Sequence, residues 1–363
     1  MARRASTAAA GLVLFLAGLL APGTGSAADP LPQLHLDPDS ITVSGISSGG
    51  FMAHQLHVAH AAQIKGAGII AGGPWSCAGE SGFPGNLVQV FARCMHLPGP
   101  LPFLGPPDVA PMLAEAKRQA AAGNIDDPAR LAGARVYLFS GEEDTLVPTS
   151  VVAAVGTFYG NFIDPATIHV ETSVAAPHAM VTDGWGAACE STQSPFINNC
   201  RFDLAGAILK EMYGDLAAPD AGAEAAGEII AFDQTPFVER GRTSGLALTG
   251  YLFVPVGCRS AEARCRLHVA FHGCAQTASR IGEAFVRHAG YNRWAATNGI
   301  VVLYPQAAPV ERTFLGRALP WPNPEACWDW WGFTGPDYAL KSAPQIAAVE
   351  AMIDRLTSPA PRP

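Results

Sequence analysis

The chain has 363 residues, of which 49% are hydrophobic and 15% are charged, and its 38 glycines and 30 prolines follow no period. This composition excludes a mostly disordered, collagen-like or coiled-coil protein, and the length suffices for one large domain or two modest ones. The formal net charge of −8 provides no basic surface for nucleic acid or for an anionic membrane, so neither is an expected partner.

The first 28 residues have the three parts of a secretory signal peptide. Arg3 and Arg4 form a basic start, and residues 11–21 are apolar but too few to span a bilayer. The run Gly25–Ala28 then supplies small residues for cleavage. The alternative is an uncleaved anchor or a poorly ordered N-terminus. We expect this segment to be removed on export, which leaves residues 29–363 as a secreted chain, extracellular or periplasmic.

Short apolar runs alternate with longer stretches of helical periodicity in the first half of the chain. The predicted strands are residues 40–44, 66–71, 134–140 and 167–171. The predicted helices are residues 50–63, 107–122 and 150–162. The glycine-rich run at residues 66–73 lacks the G-x-G-x-x-G pattern of a dinucleotide loop, so it predicts a buried strand and a turn instead of a cofactor site.

A segment of small and polar residues without apolar periodicity, residues 215–231, predicts a surface connector between two halves. The strands predicted after it are residues 250–256, 267–272 and 299–304, and the helices are residues 279–298 and 343–356. The alternation of short strands with helices favours an α/β fold with a mostly parallel sheet.

The first predicted strand runs directly into Gly45-Ile-Ser-Ser-Gly49, and a helical stretch follows. A G-x-S-x-G pattern between a strand and a helix is typical of the nucleophile elbow, a tight turn that exposes the serine hydroxyl at a helix N-terminus. Ser47 is therefore the predicted nucleophile, and the backbone N–H of Ser48 is expected to bind the oxyanion. The alternative is a purely structural glycine turn.

A serine nucleophile needs a base that removes its proton and an acid that orients the base. Asp144 lies in a turn after a predicted strand, where Glu142 and Glu143 are its rivals. Of the ten histidines, His178 lies in a loop of small residues after the last strand of the first half, where an α/β-hydrolase places its base. The predicted triad is Ser47, Asp144 and His178.

Three more histidines, His54, His57 and His60, recur at intervals of three residues after the elbow. A metal site at this spacing is conceivable, but the glutamate of an H-E-x-x-H site is missing. We therefore interpret them as an ordinary polar helix face and expect neither a metal ion nor a cofactor.

The chain has eight cysteines, and no C-x-x-C pair suggests a zinc ribbon or a redox motif. In an exported chain an even number favours disulfides, although eight cysteines allow about 105 pairings. The short separations 189/200 and 258/265 favour two bridges, and 77/94 with 274/327 is the simplest completion.

The order of the motifs along the chain is unusual for a serine hydrolase. A strand that ends in His272-Gly-Cys274 lies in the second half, although the loop with the second oxyanion N–H ordinarily precedes the nucleophile. The helix at residues 343–356 likewise resembles the one that usually leads into the nucleophile strand. A circular permutation explains both, with the old ends joined through residues 215–231, so that residues 29–363 form a single catalytic domain.

Five motifs together resemble those of a known family. They are Gly45–Ala53, Ala71–Cys77, His178–Asp183, Phe271–Gln276 and Cys327–Gly332. The combination resembles the secreted single-domain poly(3-hydroxybutyrate) depolymerases, notably the fungal type with a circularly permuted α/β-hydrolase fold. This resemblance implies the same triad, an oxyanion hole made by the N–H groups of Ser48 and Cys274, and ester hydrolysis through an acyl-enzyme.

The implied substrates are poly(3-hydroxybutyrate), related short-chain polyhydroxyalkanoates and their oligomers. The strand-His-Gly-Cys pattern also occurs in secreted feruloyl and acetylxylan esterases, so such an esterase activity is the alternative function. A third hypothesis is a secreted binding protein without catalytic activity, in which the elbow is only structural. We expect a monomer whose partner is a polyester or oligoester. Because flat aromatic faces present a large apolar area to an ester chain, four tryptophans are candidate substrate contacts. They are Trp75, Trp328, Trp330 and Trp331.

Overall fold

A computed structural model of the chain describes residues 28–79, 86–97, 102–260, 263–311, 313–314, 317–318 and 323–359. The predicted signal peptide, except for its last residue, lies outside the described residues. Within the described ranges, no helix combines the length and the apolar character that a membrane span requires.

The strands and helices alternate along most of the described chain. The strands are β1 (Asp29–Pro30), β2 (Thr42–Ile46), β3 (Gly66–Ile70), β4 (Arg135–Phe139), β5 (Ile168–Glu171), β6 (Met180–Thr182), β7 (Ala187–Ala188), β8 (Ile197–Asn199), β9 (Gly227–Asp233), β10 (Thr249–Pro255), β11 (Arg266–Phe271), β12 (Ile300–Tyr304), β13 (Thr313–Phe314) and β14 (Arg317–Ala318). The helices are α1 (Ser48–Ala59), α2 (Leu87–Gln89, continued by a π-helical turn Val90–Cys94), α3 (Val109–Ala121), α4 (Thr149–Tyr159), α5 (Leu204–Tyr213), α6 (Ala278–Ile281), α7 (Ala284–His288), α8 (Tyr291–Asn298) and α9 (Pro344–Thr357).

One large sheet contains strands from both halves of the chain, in the order β1-β9-β10-β12-β11-β2-β3-β4-β5. Six neighbouring strands from β12 to β5 are parallel, and only β10 pairs antiparallel with its neighbours. The predicted α/β fold with a mostly parallel sheet is confirmed. The fold is that of an α/β-hydrolase.

The strand order shows the circular permutation directly. Strands β2 to β5 form one side of the sheet and β9 to β12 the other, although the second block follows the first along the chain. The N–H of Leu36, just before β2, donates to the carbonyl of Leu356 in α9 at 3.0 Å. The last helix therefore ends beside the segment that leads into β2, as the permutation requires.

The structure differs from the sequence prediction in several elements, including the following three. The last part of the predicted connector, from residue 227 onward, belongs to β9, because it pairs with β10 over seven residues. The helix predicted at residues 279–298 is divided into α6, α7 and α8, because Gly282 (φ +60°) and Gly290 (φ +98°) adopt the left-handed conformation that ends a helix. Helix α5 was not predicted, although its buried face has helical spacing.

A buried hydrogen-bond network joins the two blocks where β2 pairs with β11. The Tyr213 hydroxyl donates its proton to a carbonyl of β11, so its oxygen accepts from the hydroxyl of Thr42. Because the Thr42 proton is used in that bond, the Thr42 oxygen accepts from Nδ1 of His268 at 2.8 Å. Nε2 of that ring then accepts from Ser44 at 2.7 Å, and Ser44 accepts from Tyr291. Burial lowers the pKa of His268 to about 3. The neutral ring therefore links β2 to its neighbour β11 in one register.

All eight cysteines form disulfides, and the four predicted pairings are confirmed. The bridges are Cys77–Cys94, Cys189–Cys200, Cys258–Cys265 and Cys274–Cys327.

The prediction of a polar face on α1 is wrong, because every residue of this helix is buried. His54 Nδ1 lies 3.3 Å from the carbonyl oxygen of Gly73, and His57 Nδ1 lies 2.7 Å from the Tyr159 hydroxyl. Burial lowers the pKa of both rings to about 3. His60, at the end of the helix, lies 3.5 Å from a carboxylate oxygen of Glu350. His54 and His57 therefore belong to the protein interior, and His60 is partly buried.

Candidate active site

The turn between β2 and α1 presents Ser47 at the carboxyl edge of the sheet. Its backbone has φ +56° and ψ −125°, and its N–H donates to the carbonyl of Ile70 at 2.9 Å. A Cβ on Gly45 would lie 2.2 Å from the Gly49 oxygen, and one on Gly49 would lie 2.5 Å from the His272 oxygen. Both glycines of the motif are therefore sterically required, and the strained backbone at the serine has the form of a nucleophile elbow.

Asp144 and His178 form a hydrogen-bonded pair in the turn and loop that follow β4 and β5. Oδ2 of the carboxylate accepts from Nδ1 of His178 at 2.7 Å. Oδ1 accepts from the N–H groups of Leu146 and Val147, each at 2.9 Å. Three hydrogen bonds thus hold the carboxylate in one orientation, and the carboxylate in turn fixes which ring nitrogen of the histidine is protonated.

The rivals Glu142 and Glu143 are exposed, and among the described residues the carboxylate that bonds the histidine is that of Asp144. The N–H of Glu143 donates to the carbonyl of Ala176, two residues before His178, at 3.1 Å. The backbone of this acidic turn therefore ties it to the histidine loop, whereas only the Asp144 side chain points at the ring.

Ser47 and His178 line the same cavity, which has a volume of about 550 Å³. Nε2 of the histidine is buried and has no hydrogen-bond partner among the described residues. Because Nδ1 is engaged by Asp144, Nε2 is the nitrogen that remains to accept a proton. Most of the cavity wall is apolar. Its large apolar side chains are Ile46, Phe51, Val90, Phe91, Met95, Leu97, Leu146, Val147, Phe196, Trp330 and Trp331.

Two backbone N–H groups are available for an oxyanion beside the serine. Ser48 is the first residue of α1, where N–H groups have no partner within the helix. Cys274 lines the cavity in the loop after β11, and no acceptor for its N–H is found among the described residues. A Cβ on the preceding Gly273 would lie 3.3 Å from Cβ of Ser47, so this loop passes directly beside the nucleophile candidate.

Gln276 is a site residue to which the sequence analysis assigned no role. Its Oε1 accepts from the N–H of Gly273 at 2.8 Å, and its Nε2 donates to the carbonyls of Pro195 and Phe196 at 3.1 and 2.9 Å. This buried amide joins the loop before Cys274 to the opposite wall of the cavity. The sequence signal that could have indicated this role is the position of a polar residue at the end of the Phe271–Gln276 motif.

His272 supports the same loop from the interior. Its Nε2 accepts from the N–H of Ala307 at 3.1 Å, so Nδ1 carries the proton and donates to the Gly273 carbonyl at 2.7 Å. Burial lowers the pKa of His272 to about 4. The ring is therefore neutral and orients the Gly273 peptide.

The four candidate tryptophans divide into two pairs. Trp330 and Trp331 line the cavity, as predicted for substrate contacts. Trp75 and Trp328 do not, since they are 1% and 0% exposed within the hydrophobic core. The prediction of a substrate contact is therefore corrected for these two residues.

The arrangement can perform nucleophilic acyl transfer. A serine at a strained turn, a histidine with a free buried nitrogen, an orienting carboxylate and two candidate oxyanion donors converge on one apolar cavity. Its apolar wall fits an uncharged substrate better than a charged one.

No family model matches the chain. Among curated proteins, the chain is 42% identical over 353 residues to a poly(3-hydroxybutyrate) depolymerase of Delftia acidovorans, a match that covers 97% of this chain and 66% of the relative. It is 37% identical over 352 residues to a polyhydroxybutyrate depolymerase of Talaromyces funiculosus, with coverage of 94% and 97%. The chain thus spans slightly less than two thirds of the first relative and nearly all of the second.

Two solved structures have the same fold. One is a PHB depolymerase from Penicillium funiculosum, and the other is a PHB depolymerase with a serine-to-alanine substitution, complexed with R3HB trimer. Each is 34% identical to this chain, with a TM-score of 0.79, and each match covers 92% of this chain and 100% of the other.

Proposed function

Because this chain belongs to the poly(3-hydroxybutyrate) depolymerase family, we propose that it hydrolyses the ester bonds of poly(3-hydroxybutyrate), or of related short-chain polyhydroxyalkanoates, and of their oligomers. The observation that carries the proposal is the apolar cavity shared by Ser47 and His178, the latter hydrogen-bonded to Asp144. Residues 29–363 act as one catalytic domain, since both halves contribute to one sheet. Four disulfides support secretion.

The proposed reaction has two steps. The Ser47 hydroxyl transfers its proton to Nε2 of His178 while its oxygen attacks the ester carbonyl, and the N–H groups of Ser48 and Cys274 stabilise the oxyanion. The protonated ring then gives its proton to the leaving alcohol, which leaves an acyl-enzyme. A water molecule then gives a proton to His178 while its oxygen attacks the acyl-enzyme. The ring returns that proton to the Ser47 oxygen as the hydroxyacid end is released. Throughout, Asp144 keeps Nδ1 protonated and stabilises the charged ring.

The function is tested by product release from three polymers. The purified protein should release soluble 3-hydroxybutyrate and its oligomers from amorphous poly(3-hydroxybutyrate), and little from feruloylated or acetylated xylan. Preferential release of ferulate or acetate would identify a carbohydrate-ester esterase instead. Inactivity on all three and on a chromogenic butyrate ester would indicate a binding protein.

Replacing Asp144 by asparagine is expected to lower kcat by about 10²–10⁴-fold, because the amide favours the wrong histidine tautomer. Glu143→Gln is the matched control, since Glu143 is exposed in the same turn and the carboxylate that bonds His178 is that of Asp144. Turnover of a chromogenic butyrate ester measures both. Equal losses in the two variants would show that the acid is misassigned.

Trp331→Ala is expected to weaken hydrolysis of oligoesters and polymer more than hydrolysis of a short butyrate ester, by about tenfold in kcat/KM, because a long ester chain covers more of the aromatic cavity wall than a small ester does. Trp185→Ala is the control, because Trp185 is 37% exposed, stacks on His288 and lies outside the cavity lining. If both activities of Trp331→Ala fall in parallel with its thermal stability, the side chain is a packing residue only.

A further inference from the structure

Two tryptophans of the cavity wall belong to a short segment, residues 329–334, that has no strand or helix of its own. Trp330 stacks on Phe51 of α1, with ring centroids 4.2 Å apart and planes 15° apart. Trp331 packs edge-on against Trp330, with centroids 5.4 Å apart. Because irregular backbone has no ladder of hydrogen bonds, something else must hold these rings at the cavity.

The buried carboxylate of Asp329 provides those hydrogen bonds. Its side chain is the common acceptor of the turn, and the residue is 2% exposed. Oδ1 accepts from the N–H groups of Trp331, Gly332 and Phe333 at 3.3, 2.7 and 3.1 Å. Oδ2 accepts from the N–H and the hydroxyl of Thr334 at 2.8 and 2.5 Å. These five hydrogen bonds satisfy the carboxylate and fold the backbone of the segment around it.

The backbone of the same residue is anchored to two helices. The N–H of Asp329 donates to Oε1 of Gln345 in α9 at 2.7 Å, and its carbonyl accepts from Nε2 of Gln55 in α1 at 2.9 Å. Helix α1 begins directly after Ser47. The hydrogen bond to Gln55 therefore fixes the position of the segment relative to the helix that follows the nucleophile candidate. Asp329 itself does not line the cavity.

We propose that Asp329 is a positioning residue for substrate recognition, which holds Trp330 and Trp331 in place along the cavity wall. The inference rests on the proposed function, because it assigns a role to the wall that an oligoester would contact. An aspartate is required since an asparagine can offer only one acceptor oxygen to the five donors and would direct its own N–H₂ group at the others. A loosened wall weakens the binding of a long substrate more than the chemistry at the serine.

The test compares Asp329→Asn with wild type on a soluble 3-hydroxybutyrate oligomer and on a short p-nitrophenyl ester. We expect KM for the oligomer to rise by about tenfold, with a smaller change in kcat and a smaller effect on the short ester. Thr334→Val, which removes only the hydroxyl donor, should raise the same KM in the same direction by less. The matched control is Asp337→Asn, since Asp337 bonds Arg242 and Ser342 and lies outside the cavity lining.

A second measurement needs no substrate. Near-ultraviolet circular dichroism of the ligand-free protein reports how rigidly tryptophan rings are held, and Asp329→Asn should weaken that signal while Asp337→Asn does not. A folded Asp329→Asn protein with the wild-type spectrum and wild-type KM would overturn the proposal, and so would equal losses on both substrates that track thermal stability. If Asp329→Asn does not fold, an unchanged oligomer KM in Thr334→Val overturns it. A wild-type protein inactive on the oligomer would refute the proposed function, and the spectra would still decide whether Asp329 orders the rings.

Discussion

Replacing Ser47 by alanine should lower ester hydrolysis by about 10⁴-fold or more while the fold stays intact, because the nucleophile, base and acid act as a unit. Ser47 projects from a turn whose glycines, strand and helix do not depend on its hydroxyl. The measurements are turnover of a chromogenic butyrate ester and the thermal midpoint, which should stay within about 2 °C of wild type.

Ser48→Ala is the matched control for this substitution. Its hydroxyl is buried without a hydrogen-bond partner among the described residues, and alanine keeps the backbone N–H that the proposed mechanism uses. We expect this variant to retain most of the activity. A folded Ser47→Ala protein with near-normal turnover would refute the assigned nucleophile.

Acidification is expected to destabilise the fold steeply, because four fully buried histidines are held neutral. Burial lowers the pKa of each from 6.5 to about 3 or 4. They are His54, His57, His268 and His272. As the pH falls below 6.5, these histidines bind protons in the unfolded chain but stay neutral in the native protein. Each histidine therefore lowers the free energy of unfolding by up to about 1.4 kcal/mol per pH unit.

One carboxyl group works in the opposite direction. Burial raises the pKa of Glu350 from 4.5 to about 7, so the native state binds this proton more tightly than the unfolded chain and gains stability as the pH falls through 7. Burial also lowers the pKa of His60, beside Glu350, to about 4, which adds a fifth destabilising histidine. With these contributions, we expect the free energy of unfolding to fall by about 5 kcal/mol from pH 7.5 to pH 5.5. Urea unfolding followed by tryptophan fluorescence at the two pH values measures the difference.

Two variants of the hydrogen-bond network between β2 and β11 distinguish the effect of histidine titration on stability from the effect of a lost hydrogen bond. His268→Asn should reduce the pH-dependent loss by about 1.4 kcal/mol, because one titrating group has been removed. Tyr291→Phe removes a hydroxyl from the same network, so it should lower stability by a similar amount at both pH values. An unfolding free energy that is equal at pH 7.5 and 5.5 in the wild type would contradict the buried, neutral histidines.

Local constraints explain what could be predicted from the sequence. The elbow was recognisable because the backbone around Gly45 and Gly49 leaves no room for a Cβ. Two glycines at this spacing around Ser47 therefore indicate a tight turn between strand and helix. Candidates for the acid and the base could be proposed because a turn and a small-residue loop follow apolar strands, and parallel strands place such loops at one edge. The sheet itself followed from short apolar runs, which have few alternatives to a buried strand.

Non-local packing decided the rest. His54 and His57 have the spacing of a polar surface face, and only the elements packed around α1 show that this face is interior. Trp328 and Trp330 are two residues apart in one motif and both are buried in the core, yet only Trp330 also lines the cavity. Glycines at 282 and 290 interrupt a periodic stretch, and nothing local distinguishes a tolerated glycine from one that turns the chain.

The sequence by itself therefore determined the fold class, three of the disulfide pairings and the candidate triad, because each depends on backbone conformation or on short separations along the chain. The pairing of Cys274 with Cys327, 53 residues apart, followed only as the remaining pair. The tertiary structure alone revealed the supporting residues Gln276 and Asp329, since their partners are backbone groups brought close only when the sheet and helices pack. Side chains that accept hydrogen bonds from backbone N–H groups do not recur at a regular spacing in the sequence. An aspartate is also the same residue in the sequence whether its carboxylate is buried or exposed.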